Sequence, residues 1–274
     1  MTIDSHVHFW EYDPLRDDWI TDDMTVLRRD FLPMDIVNTL KENEVEGIIA
    51  VQADQSESET RFLCDLARHN NFIKGIVGWI DLQDKLIEER LAYFSKIVVI
   101  KGWRHIVQAE PDDFLERSEF LRGISYLANY NFTYDILIYP GQMKAALDFI
   151  SRFPGQKFVL DHAAKPDIKN ENIDEWAYWS GEIAKNDNVY CKLSGLLTEA
   201  VWNHWSDETF APYLDVLFEQ FGADRLMFGS DWPVVLLSGQ YAQWKNLMEK
   251  YILKNCPGSR MKIFGENAMK FYNI

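Results

Sequence analysis

Two histidines stand one residue apart near the start of the chain, in the stretch Ile-Asp-Ser-His6-Val-His8. An imidazole can ligate a metal or pass a proton near neutral pH. Side chains two apart on a strand share a face, so both rings point the same way. Far along the chain, His162 ends the run KFVLDH and Asp231 ends the run RLMFGSD. Three imidazoles and one carboxylate can do either of two things. They can hold a single divalent ion with a position left for water, or they can orient and deprotonate water themselves. Singly, each residue has an ordinary explanation. A strand-end histidine is commonly just hydrogen-bonded, and Ser-Asp-Trp-Pro reads as a turn. Their arrival at one place would make a site.

Other ionisable and aromatic residues fall at comparable positions. The run IVVIKGWRH carries Lys101, Trp103 and His105 on one parity and Arg104 on the other. We read Arg104 and His105 as contacts to substrate hydroxyls or a carboxylate, since a guanidinium suits a bidentate partner. Lys101 is placed with them as a further polar contact. Trp103 and Trp232, with Trp10, could stack on a ring, although packing explains an indole equally well. Lys192 and Ser194 share a parity in VYCKLSG, which sends Cys191 to the opposite side and into the core. No Gly-x-Ser-x-Gly elbow is present, so a serine nucleophile has no support.

Something must position these groups. Eight short apolar or β-branched runs recur: TIDSHVHF, EGIIAVQAD, IKGIVGWI, IVVIKGWRH, FTYDILIY, KFVLDH, VYCKLSG and RLMFGSD. Amphipathic stretches separate them, among them PMDIV with a proline suited to a first turn, and SESETRFLCDLARHN with a serine at its head. Continuous apolar strands alternating with helices predict a parallel sheet clothed by helices. Eight such units over residues 1–274 predict a single α/β domain, a (β/α)8 TIM barrel. A doubly wound sheet would usually show a glycine-rich phosphate turn, and none occurs. In a barrel the lumen at the strands' C-terminal ends is where such polar residues belong.

Composition narrows the function further. The net charge of −15 argues against nucleic acid and against anionic membrane surfaces as partners. The three cysteines, Cys64, Cys191 and Cys256, are odd in number and widely spaced, which suits a reducing compartment. The start lacks a basic and apolar leader, and no run approaches the roughly 18 apolar residues of a membrane span. A cytoplasmic protein is expected.

The stretches IDSHVHFW, VGWIDL, KGWRHIVQAEPDDFL, LDHAAKP, CKLSGL and FGSDWPV resemble the amidohydrolase superfamily over nearly the whole chain. More narrowly they resemble its sugar-lactonase branch, which holds L-fuconolactonase-like and 2-pyrone-4,6-dicarboxylate lactonase-like hydrolases. The resemblance implies that His6, His8, His162 and Asp231 are the catalytic positions, and metal ligands in those members that use metal. Binuclear members carry a bridging residue on strand four and a histidine on strand five. FTYDILIY has no histidine and Lys101 is poorly placed for a bridge, so a binuclear centre is not expected. One divalent ion such as Zn²⁺, or none, stays open.

The resulting expectation is hydrolysis of a small sugar-acid lactone, with Asp231 activating water. A metal-dependent decarboxylase of the same superfamily and a non-catalytic sugar-acid-binding barrel are the alternatives. The particular lactone and the oligomeric state, a homodimer included, are left open by the residues.

Overall fold

The computed structural model describes residues 1–274. Eight parallel strands pair strictly in chain order: β1 (Ile3–Val7), β2 (Gly47–Val51), β3 (Ile73–Gly78), β4 (Ile100–His105), β5 (Thr133–Ile136), β6 (Phe158–Leu160), β7 (Val189–Leu193) and β8 (Leu226–Phe228). The ring closes just past the end of β8. Val7 bridges Trp232 in parallel, Asp231 N–H donates to the His6 carbonyl, and His8 N–H donates to the Trp232 carbonyl. The fold is a (β/α)8 barrel.

Ten α-helices surround or cap it: α1 (Pro33–Glu42), α2 (Glu57–His69), α3 (Ile87–Phe94), α4 (Ser118–Leu127), α5 (Met143–Ser151), α6 (Asp174–Ala184), α7 (Leu196–Glu199), α8 (Asp207–Phe221), α9 (Tyr241–Asn255) and α10 (Asn267–Tyr272). Their starts follow the local signals. Pro33 occupies the first turn of α1, and the Asp35 carboxylate accepts from the Leu32 N–H. Ser56 caps α2 by accepting from the Glu59 N–H. At the end of α1 the chain turns through Glu44, exposed and at φ 56°, while Val45 N–H returns to the Leu40 carbonyl. A glycine takes this left-handed position without Cβ strain. Glu44→Gly is therefore expected to raise stability by about 0.5–1 kcal/mol in a urea melt; a loss of stability would contradict this reading of the turn.

Two apolar regions result. The larger lies between sheet and helices. The smaller fills the barrel floor, where Ile3, Ile49, Val51, Val77, Val159, Tyr190 and Met227 meet Ala268, Phe271 and Tyr272 of α10. The C-terminal helix is thus the plug of the barrel. Above this apolar floor the lumen turns polar. β1 manages the change with an irregularity: between Asp4 and Val7 it advances three residues where β2 advances two. The extra residue resets the alternation. Ile3 can face the floor while His6 and His8 face the mouth.

Candidate active site

His6 and His8 project into the upper lumen with their Nε2 atoms 3.0 Å apart. Gly229 makes room for the first, since a Cβ there would lie 2.9 Å from the His6 Cβ. The second is held by a hydrogen bond from His8 Nδ1 to the Val51 carbonyl at 2.7 Å. A carbonyl only accepts, so Nδ1 carries the proton and Nε2 presents a lone pair. Asp231, itself at φ 59°, brings Oδ1 to 3.4 Å from His8 Nε2, 3.8 Å from His6 Nε2 and 3.9 Å from His162 Nε2.

His162 arrives by unusual backbone. His162, Ala163, Ala164 and Lys165 all have φ between 50° and 58°. Left-handed residues with a Cβ cost roughly 1–2 kcal/mol each and are ordinarily single. Here four in a row are braced by Trp176 Nε1–H donating to the Ala163 carbonyl and Lys165 N–H donating to the His162 carbonyl. The turn sends both His162 and Lys165 to the cavity. Gly195, at φ 68°, passes beneath the ring; a Cβ there would sit 2.5 Å from His162 Nδ1. That nitrogen instead pairs with Ser194 Oγ at 2.9 Å.

A polar layer lies under His6. Arg104 Nη1 donates to Asp161 Oδ2 at 3.0 Å and lies 3.3 Å from His6 Nε2; its Nη2 donates to the Gln52 carbonyl. Lys192 Nζ lies 2.5 Å from Asp135 Oδ2, 3.0 Å from Asp161 Oδ1 and 3.1 Å from His6 Nδ1. Tyr272 reaches up from the plug to donate to Asp135 Oδ2 at 2.8 Å. Buried cations in apolar strands must be paired, and these are.

The electrostatics follow from burial and neighbours. Burial, with Lys192 alongside, pushes His6 well below the imidazole range, and Asp161 offsets only part of this. Burial likewise lowers His162 to about 4. For Asp231 burial acts upward, but His162, His8 and His6 outweigh it and hold the carboxyl well below the usual carboxylate range. At neutral pH the site therefore presents a carboxylate to at least two neutral rings. Asp135 is raised by burial to about 6 despite Lys192, whereas Asp161 overcomes burial through Lys192 and His6 and stays ionised.

The cavity above these groups has a volume of about 350 Å³. His8, His162, Asp231 and Arg104 line it, joined by Arg16, Trp19 and Lys165. Among the residues singled out from the sequence, His6, His8, His162, Asp231 and Arg104 come together. Lys101, Trp103, His105 and Trp232 stand elsewhere. Lys101 runs to the barrel base and donates to the Asn273 carbonyl. Trp103 is packed between Phe94 and Phe132 in the helix layer. His105 stacks on Phe114 at 4.4 Å, accepts from Trp79 Nε1–H and so donates from Nε2 to Glu110. Trp232 packs against Phe9 and Phe31 behind the rim. On β4 the alternation sends Trp103 and His105 outward and Arg104 to the lumen polar layer, while a register irregularity between Ile100 and Gly102 leaves Lys101 at the barrel base.

The residues fit one divalent ion. Ligands 2.0–2.1 Å from a tetrahedral zinc stand roughly 3.3–3.4 Å apart. The separations from His8 and His6 to Asp231 and to each other, 3.0–3.8 Å, bracket that value, and the donor atoms of His6, His8 and Asp231 all lie within 4.8 Å of one another. His162 can complete the set. Strand five offers Asp135 instead of a histidine, and that carboxylate is engaged by Lys192 and Tyr272.

A parallel barrel with two histidines from strand one, a histidine after strand six and an aspartate after strand eight, all at the mouth, is the architecture of water-activating barrel hydrolases. The chain belongs to the amidohydrolase family, whose model matches residues 3–274. It is similar to the L-fucono-1,5-lactonase of Burkholderia multivorans, with 36% identity across 100% of this chain and 96% of that one. It is likewise similar to the L-fucono-1,5-lactonase of Burkholderia ambifaria, at 33% identity over 99% and 95%. A solved amidohydrolase structure from Burkholderia multivorans, with bound zinc, superposes with a TM-score of 0.96 at 35% identity, covering 100% of this chain and 99% of the other.

Proposed function

We propose that this protein opens the ring of a sugar-acid lactone, L-fucono-1,5-lactone or a close aldonolactone, by attack of water on the ring carbonyl. The single observation that carries this reading is a carboxylate facing three imidazoles at the mouth of a cavity of about 350 Å³. That volume suits one sugar-sized ligand. The relatives' names supply the substrate class.

In this mechanism Asp231 accepts a proton from water as the oxygen bonds to the lactone carbonyl carbon. The resulting oxyanion needs donors. Arg104 and Lys165 line the cavity with N–H groups, and the former is already fixed by Asp161. Collapse of the tetrahedral centre breaks the bond to the ring oxygen, and Asp231 returns its proton to that oxygen. A divalent ion held by His6, His8, His162 and Asp231 would supply Lewis-acid polarisation of the carbonyl or of water. Trp19 offers a flat apolar face on the cavity wall for the sugar ring.

Lys165, like Trp19, is not among the residues singled out from the sequence. It has no hydrogen-bonded or ionic partner, and its ammonium lies only over the Tyr139 ring at 5.3 Å. A cation left free on a cavity wall is available to substrate. Lys165→Met is expected to lower kcat/KM by roughly 10²-fold with little change in stability. A loss below threefold would remove Lys165 from the mechanism.

No helix is long and apolar enough to cross a membrane. With its cysteines unpaired, Cys64 and Cys191 buried, the chain is suited to work in the cytoplasm as one domain spanning residues 1–274. The direct test is hydrolysis of L-fucono-1,5-lactone followed by acid release.

A further inference from the structure

The position of Lys192 has a consequence for the two histidines above it. Its Nζ faces Asp135 Oδ2, Asp161 Oδ1 and His6 Nδ1 at 2.5, 3.0 and 3.1 Å, and it lies 5.6 Å from the Tyr272 ring centre. An ammonium has hydrogens to give and no lone pair, so its approach to Nδ1 is favourable only when Nδ1 is bare. A neutral His6 then carries its proton on Nε2, pointing into the site. His8 Nε2, 3.0 Å away, is free to accept it because His8 Nδ1 already donates to the Val51 carbonyl. Lys192, His6, His8 and Val51 thus form one chain of hydrogen bonds with every direction fixed.

The opposite tautomer breaks that chain twice. Two hydrogens would meet between Lys192 and His6, and two lone pairs would meet between His6 and His8. Its two gains are weak: Arg104 Nη1, at 3.3 Å from Nε2, already donates to Asp161 Oδ2 at 3.0 Å, and Asp161 Oδ1, at 3.5 Å from Nδ1, already faces Lys192 at 3.0 Å. Yet the opposite tautomer is the one a metal ligand needs. A ligating histidine offers one nitrogen bare to the ion and donates from the other to a carboxylate or carbonyl. Behind His6 the nearest group is a cation, and the Asp161 oxygen lies farther off at 3.5 Å.

We propose that Lys192 is a positioning residue that sets the tautomer of His6 with its proton on Nε2, and that it thereby weakens the hold of the His-x-His pair on a divalent ion. This inference concerns the metal preference of the site and stands apart from which lactone is opened.

The experiment uses full-length protein stripped of metal and refilled with Zn²⁺ against a chromophoric chelator. Lys192→Met together with Asp135→Asn removes one positive and one negative charge, so the net charge of the layer is kept; Asp135→Asn alone is the control. The double variant is expected to bind Zn²⁺ at least tenfold more tightly than the wild type, and the control to bind within threefold of it. Equal affinity in wild type and folded double variant would overturn the proposal. A second measurement needs no variant: nitrogen-15 spectra of the histidine rings in metal-free wild type. His6 protonated on Nε2 is expected, and His6 protonated on Nδ1 would overturn the proposal even if the double variant failed to fold.

Discussion

Asp231→Asn is expected to lower kcat/KM for lactone opening by about 10²–10⁴-fold, the range a positioned general base contributes. The amide keeps the shape and one acceptor oxygen but cannot take a proton from water. Because the carboxylate sits among His6, His8 and His162, the replacement leaves no buried charge unpaired, and the melting temperature should move little. The wild-type pH profile carries a companion expectation. Burial lowers His162 to about 4, and Asp231 is held lower still by the histidines. Both groups are therefore in their working forms above pH 5. On the acid side, kcat/KM should fall as His162 gains a proton near pH 4. Steady-state rates of the variant within tenfold of wild type would remove Asp231 as the base.

Phe271→Ala should destabilise the barrel by about 3–5 kcal/mol, the usual cost of deleting a buried phenyl ring. Phe271 lies in the plug helix α10, fully enclosed, with its ring 4.9 Å from Tyr190 and 4.8 Å from Tyr272. The floor has no alternative filling, because the inward residues of β1, β2, β3, β6, β7 and β8 all converge on this helix. Collapse into the gap would require the strands themselves to move. Urea denaturation with an unchanged m-value is the measurement. A loss below 1 kcal/mol would mean the last helix is loosely seated.

Much of this architecture could be read from residues alone, and the exceptions have physical causes. Each apolar run contains its strand, because parallel strands buried on both faces must be continuously apolar. The same property hides which face of a strand meets the lumen. On β4 the parity that separates Arg104 from Trp103 and His105 is plain in the sequence, but nothing local says which set points inward, or that the strand slips by one residue at Lys101. Lys192 and Asp135 carried a usable signal. A charge in the middle of VYCKLSG or FTYDILIY cannot be solvated there and has to find a partner of opposite sign. Pairing the two by that rule anticipates the polar layer under His6. The left-handed turn from His162 to Lys165 had no such signal, since Ala-Ala is a poor advertisement for positive φ. Arg16 and Trp19 come from the long connection after β1, where no periodicity guides the reading.

The carboxylate and histidines at the barrel mouth are expected to hydrolyse a sugar-acid lactone. The measurement that tests this most directly is acid release from L-fucono-1,5-lactone and a panel of aldono-1,4-lactones, monitored with a pH indicator. It is run on one preparation before and after exhaustive chelation, with metal content read on the same samples. We expect turnover of at least one sugar lactone well above its spontaneous opening, lost in Asp231→Asn. Absence of turnover across the panel, in chelated and Zn²⁺-supplemented protein alike, would contradict the claim.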